Sequence, residues 1–284
     1  MFLLGTPVLL VISGWVIGTS YFVVEFPLIN VGVTSSEAVL IYVFLAVPLF
    51  VATGDLLTAG GISQKLVKFA QSTVPFLPGA TAATTMVSCG LFSAVSGSNA
   101  ATAATMGRLL GPELEKKGVD KGLSAALVAA GGTVGVIIPP SVMFLIYGVT
   151  VDVSSVDLFV GGIIPGILMV LVLVSTAVFL TRRKEPTQGL KALKFDQIIK
   201  NAGNAWLGFI AIGIILFGIY WGYFSPTEAA GVGAFGALII ARLNGSANME
   251  LLKVTSYKAA TVTTMIFSIL IGASIFSLIF RGVG

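Results

Sequence analysis

The residues in this chain whose types and spacing suit chemistry fall mostly in two short runs. The first is S-G-S-N, comprising Ser96, Gly97, Ser98 and Asn99, and the second is G-G-T-V-G-V-I-I-P-P-S, from Gly131 to Ser141. In the first, three side-chain oxygens surround a glycine that permits a turn and frees nearby carbonyls. In the second, Pro139 and Pro140 lack a backbone N–H and keep Ile138 out of helical geometry, while Gly131, Gly132 and Gly135 let a neighbour approach closely. Neutral oxygens of this kind can hold a hard cation such as sodium without a buried carboxylate. Each run also has a plain structural alternative: a Ser-Gly turn between packed helices for the first, a proline kink for the second.

Little else could be chemical. Histidine is absent and Cys89 is the single cysteine, which excludes disulfides within the chain, Cys/His metal clusters and His-based acid–base catalysis. Cys89 reads as a small packing residue. No Ser–Lys pair falls at one membrane depth and no acidic metal motif appears, so the chain does not read as an enzyme. Asp55 lies near the end of an apolar run, where an ionisable residue is a functional candidate, although a solvated or capping role is the favoured reading. Glu228, after Pro226 and Thr227, reads as a helix N-terminal cap.

The elements that position these residues follow from composition. With 56% hydrophobic and 10% charged residues and a mean hydropathy of +1.02, the chain is a polytopic all-α membrane protein in a lipid bilayer. Its net charge of +4 comes from lysines and arginines in a few connections, a pattern that sets orientation and does not indicate nucleic-acid binding. The start, M-F-L-L-G-T-P, has no basic n-region or cleavage site, so the first apolar run is expected to remain as a transmembrane helix.

Spans are expected at 7–24 and 38–58, with Glu25 and Glu37 between them, followed by an amphipathic interfacial segment at 62–74 carrying Lys65 and Lys68. Residues 79–95 and 98–110 flank Ser96 and Gly97. Both outer flanks are basic, including the loop from Arg108 to Lys121, so this stretch should enter and return on one side as a re-entrant hairpin. Residues 122–148 cross with a break at Gly135–Pro140, towards a loop bearing Asp152 and Asp157. Residues 158–181 return to the most basic connection, with Arg182, Arg183, Lys184, Lys191, Lys194 and Lys200. Spans at 204–223, 227–241 and 259–280 complete a pattern that looks like an inverted repeat, the common plan of secondary transporters. Carbonyls of Gly135 to Ile138 are expected to be free, and hairpin tip and break are expected to meet at mid-membrane.

Five separated motifs then resemble a known family. They are P-L-F-V-A-T-G-D-L-L-T-A-G-G-I, S-A-V-S-G-S-N-A-A-T-A-A-T-M-G, G-G-T-V-G-V-I-I-P-P-S, F-V-G-G-I-I-P-G at Phe159–Gly166, and S-P-T-E-A-A. Together they resemble the large membrane subunit of tripartite ATP-independent periplasmic (TRAP) transporters. The resemblance implies an inverted-repeat, elevator-type transporter in a bacterial or archaeal inner membrane that imports organic acids such as C4-dicarboxylates or sialic acids. Sodium would be the coupling ion, with no other cofactor. A periplasmic substrate-binding protein and a small four-helix membrane subunit would be its partners. By similarity, Ser96, Gly97, Ser98, Gly135 and Pro139 would hold sodium, and Ser98, Asn99, Pro140 and Ser141 would face the substrate.

On this reading residues 1–61 are scaffold helices, 62–78 an interfacial helix and link, and 79–157 the transport-domain hairpin and broken helix. Residues 158–203 are a helix with a basic loop, and 204–284 begin the second repeat. The chain departs from the family pattern at P-G-A-T-A-A before the hairpin and at Asn99, where a small residue is usual. The family's second hairpin and its Thr-Pro-Pro broken helix do not occur in these 284 residues, so the chain is expected to be C-terminally truncated. A proton- or other ion-coupled anion transporter and a non-transporting membrane fragment are the alternatives. The scarcity of intramembrane carboxylates argues against a proton relay.

Overall fold

The computed structural model describes residues 8–19, 28–186, 189 and 193–283. Residues 7 and 20–24 of the first expected span, together with Glu25 and Lys191, lie outside them. Among the described residues there are thirteen α-helices and no strand.

The hairpin forms as α5 (Ala80–Ser96) and α6 (Asn99–Lys116), joined through Gly97 and Ser98. The broken span is α7 (Lys121–Thr133), a short 3₁₀ turn at Val134–Val136, an irregular stretch to Ser141, and α8 (Val142–Val151). Next comes α9 (Ser155–Thr181), whose 27 residues rise about 40 Å and exceed a hydrocarbon core of about 30 Å. Helices Tyr42–Ala59, Ser155–Thr181 and Met249–Leu278 are each long and apolar enough to cross a membrane.

Four expectations from the sequence are corrected. The connection read as a loop from Arg108 is helical as far as Lys116 and passes through Pro112, because Leu110 and Leu114 are fully buried and hold the chain against the neighbouring helices. Between the first two spans stands a further helix, α2 (Leu28–Glu37), after α1 (Val8–Thr19). The basic loop contains α10 (Phe195–Asn204), which meets α11 (Trp206–Tyr220) at a 65° bend at the very start of the span expected at 204–223. The last helix, α13 (Met249–Val283), begins ten residues earlier than its apolar run, where Asn248 Oδ1 accepts from Leu251 N at 2.6 Å.

Helix α3 (Ala46–Ala59) lies at the centre, packed along α12 (Pro226–Leu243) and touching α13, α5 and α8. Phe50, Leu145, Phe159 and Ile215 are all buried in one core at one end of this group. Leu57, Ile62, Leu66 and Ala237 are buried in a second core at the other end. The hairpin packs on α7 and α9, burying Met86, Leu114, Leu127 and Ala177. Helix α4 (Ile62–Thr73) turns Ile62, Leu66 and Ala70 inward at helical spacing and leaves Lys68 exposed, as expected of the amphipathic segment.

The base of the hairpin is closed by a polar clamp. Glu185, after α9, accepts from Thr81 N at 3.0 Å and Thr81 Oγ1 at 3.1 Å, and its carbonyl accepts from Gly79 N at 2.8 Å. Lys117, at the far end of α6, pairs with the same carboxylate at 3.6 Å. A carboxylate in this position satisfies a first-turn N–H and meets the positive end of the α5 dipole.

Candidate functional site

The hairpin tip is built by two caps in series. Gly97 ends α5 in the left-handed region at φ +59, its N–H donating to the Ser93 carbonyl at 2.9 Å. Ser98, in extended geometry, then starts α6, and its Oγ accepts from Ala101 N at 3.4 Å.

This tip sits directly against the break. Val142 N donates to the Gly97 carbonyl at 3.3 Å, joining the two interrupted elements through their backbones. A Cβ added at Gly97 would stand 2.5 Å from the Pro140 carbonyl oxygen, and one added at Gly135 would stand 2.9 Å from Asn99 N and from the Ser98 carbonyl carbon. From the other side, a Cβ on Gly54 of α3 would meet Ser96 Cβ at 2.9 Å. Three glycines from separate elements thus allow backbone to lie on backbone around the Ser96–Ser98 turn.

The polar groups enclosed here are all neutral oxygens. Ser93, Ser96 and Thr102 are fully buried. Thr102 Oγ1 lies 3.0 Å from Ser96 Oγ and 3.4 Å from Ser93 Oγ, and donates to the Ser98 carbonyl at 2.8 Å. Across from them, the carbonyls of Gly135, Ile137, Ile138, Pro139 and Pro140 accept no hydrogen bond among the described residues. Prolines 139 and 140 have no N–H to offer a neighbouring turn, and the peptide between them is cis. Hydroxyls that can rotate and carbonyls without donors can surround a cation and replace its water. Among the described residues no cluster of His, Cys, Asp or Glu could hold a metal ion, so any cation here would rest on neutral ligands.

Two sequence readings change in detail. Val136 was expected to have a free carbonyl, but it accepts the Ser141 hydroxyl at 2.6 Å, so Ser141 spends its proton inside the break. Asn99 is exposed at the first turn of α6, with its backbone rather than its side chain against Gly132 and Gly135. Ser93 and Thr102 are polar participants that the sequence reading does not single out. The signal for Thr102 was its spacing, since Ser98 and Thr102 are four apart on one helix face. Small residues pack closely one turn away, where a Cβ on Gly132 would meet Ala103 Cβ at 2.8 Å and Gly131 makes room for the buried Cys89.

The acidic candidates separate cleanly. Asp55 is not a cap: it lies in the last turns of α3 and, partly exposed, pairs with Lys258 of α13 at 3.5 Å, because α13 begins early enough to carry that lysine alongside. Glu228 is the expected cap, completing a capping box with Ser225 in which Ser225 N donates to its carboxylate at 2.8 Å.

Comparison with known proteins agrees with this architecture. The family model described as "Tripartite ATP-independent periplasmic transporter, DctM component" matches residues 1–284. An isethionate TRAP transporter permease protein of Oleidesulfovibrio alaskensis is 40% identical over 69% of this chain and 31% of its own length. A C4-dicarboxylate TRAP transporter large permease protein of Vibrio cholerae is 35% identical over 70% of this chain and 44% of its own. A sialic acid TRAP transporter large permease protein from the same species is 33% identical over 80% of this chain and 54% of its own. The chain spans about half, or less, of the length of these relatives.

Proposed function

The chain belongs to the DctM component family of tripartite ATP-independent periplasmic transporters, and from that premise we propose that it serves sodium-coupled secondary import of an organic acid across the inner membrane. The family consists of transporters, not enzymes. In this reading the Ser96–Ser98 turn and the 135–141 break form one half-site for sodium, with Ser96, Thr102 and the break carbonyls as ligands. Ser98, Asn99, Pro140 and Ser141 border the organic acid. A periplasmic binding protein delivers the substrate, and a small four-helix membrane subunit sits alongside. The relatives' names point to carboxylates and a sulfonate, which share an anionic group and leave the particular acid open.

One observation carries the proposal: two interrupted elements meet backbone to backbone around buried hydroxyls and unpaired carbonyls, a costly arrangement in a bilayer unless something occupies it. The mechanism follows from charge. Sodium bound to neutral oxygens brings one positive charge beside the break, lowers the cost of bringing an anion there, and gains about 2.3 kcal/mol per 100 mV on moving inward.

The test is thermal stabilisation of the purified chain by sodium against choline, together with sodium-dependent binding of a C4-dicarboxylate or sialic acid. Both effects should disappear when Ser96→Ala is combined with Ser98→Ala. Stabilisation that is the same in sodium and choline, or that survives the double substitution, would sink the sodium reading.

A further inference from the structure

Helix α10 was not anticipated from the sequence and has no part in the half-site. Its apolar side chains Phe195 and Ile199 are four residues apart and so share one face of the helix, and Trp206 follows just past the bend as the first residue of α11. Phe195, Ile199 and Trp206 are 71%, 65% and 54% exposed, so these large apolar side chains are left uncovered. The helix is held from another side, where Asn201 Nδ2 donates to the Lys68 carbonyl of α4 at 3.2 Å and Ile198 is half-buried.

The stripe is continuous with a membrane face. On α11 the exposed side chains Ile210, Ile214, Phe217 and Trp221 run on from Trp206 along one side of the span. Across the 65° bend exposed apolar side chains continue, with Trp206 at the start of α11 and Ile199 and Phe195 on α10. A surface facing acyl chains on α11 therefore continues onto a helix lying across the end of the span, at headgroup depth.

Charge selects the headgroup. Lys194 and Lys200 on α10 and Lys68 on α4 are exposed, and among the described residues none of the three is in an ion pair. Asp196 is the one carboxylate on α10. We infer that α10 is a docking surface for anionic phospholipid, with Phe195, Ile199 and Trp206 among the acyl chains and Lys194 and Lys200 on the headgroup phosphate. The inference needs only that the chain is a membrane protein and is independent of ion coupling or substrate.

The chain has three tryptophans, so Trp15→Phe with Trp221→Phe leaves Trp206 as the sole emitter. This protein is reconstituted into zwitterionic vesicles containing, at equal mole fraction, either a chain-brominated anionic phospholipid or a chain-brominated zwitterionic one. The anionic quencher is expected to quench Trp206 more strongly. Lys194→Gln with Lys200→Gln should reduce that preference by up to about fivefold per lysine at low salt, and added salt should do the same. Quenching by the zwitterionic lipid should persist in the lysine variant, which shows that α10 is still folded and in place. Equal quenching by both lipids would overturn headgroup recognition. Absence of quenching by either would show that the stripe is covered by a second copy or another protein, and would overturn the lipid assignment altogether.

Discussion

Gly97→Ala tests the meeting of hairpin and break at its tightest point. At φ +59 an alanine carries a left-handed backbone cost of about 1–2 kcal/mol. Its Cβ would also stand 2.5 Å from the Pro140 carbonyl oxygen, so the turn must retreat and lose the Val142–Gly97 hydrogen bond, a further loss of about 1 kcal/mol. The total, about 2–3 kcal/mol, should appear as easier separation of α5 from the α7–α8 break. Cys89 reports that separation directly, because it is the sole cysteine, is fully buried on α5, and packs against Gly131 of α7. Labelling by a small thiol reagent should be roughly 30-fold faster or more in Gly97→Ala than in the unsubstituted chain. Gly61→Ala is the control. It has the same kind of backbone at φ +75, but the nearest atom to its added Cβ is Gln64 Oε1 at 3.9 Å, so Cys89 labelling should hardly change. Equal acceleration by both substitutions, or none by Gly97→Ala, would refute the claim that contact with Pro140 holds the hairpin closed.

Two further outcomes follow from ionic contacts away from the half-site. Asp55→Asn and Lys258→Asp should each lower the thermal stability of the purified protein, while Asp55→Lys combined with Lys258→Asp recovers most of the loss; a double variant no better than the singles would show that the pair does not join α3 to α13. Glu185→Ala removes the two side-chain bonds to Thr81 and the pairing with Lys117, whereas Glu185→Gln can keep the former, so hydrogen exchange at the start of α5 should rise more in the alanine variant.

Much of the architecture was legible in the sequence because the bilayer simplifies the rules. A membrane helix must satisfy its backbone within itself, so apolar length shows the spans, and Gly and Pro show where a span is interrupted. The breaks at Gly97 and at 137–141, and the cap at Glu228, could therefore be read from residue type alone. Helices α2 and α10 were not legible, since helices of ten residues with polar and charged positions lack the apolar length that marks a span. Thr102 and Asp55 show the remaining gap. A threonine in a small-residue stripe looks like packing until the turn at Gly97 brings Ser96 back within 3.0 Å of it. An aspartate near the end of an apolar run looks solvated until α13 supplies Lys258. Residue type and spacing determined which elements form and where they break, because those follow from local hydrogen bonding and solvation. Which oxygens share an enclosure, which charges pair and which apolar stripe stays uncovered were decided only by tertiary structure, because each depends on a partner far away in the chain.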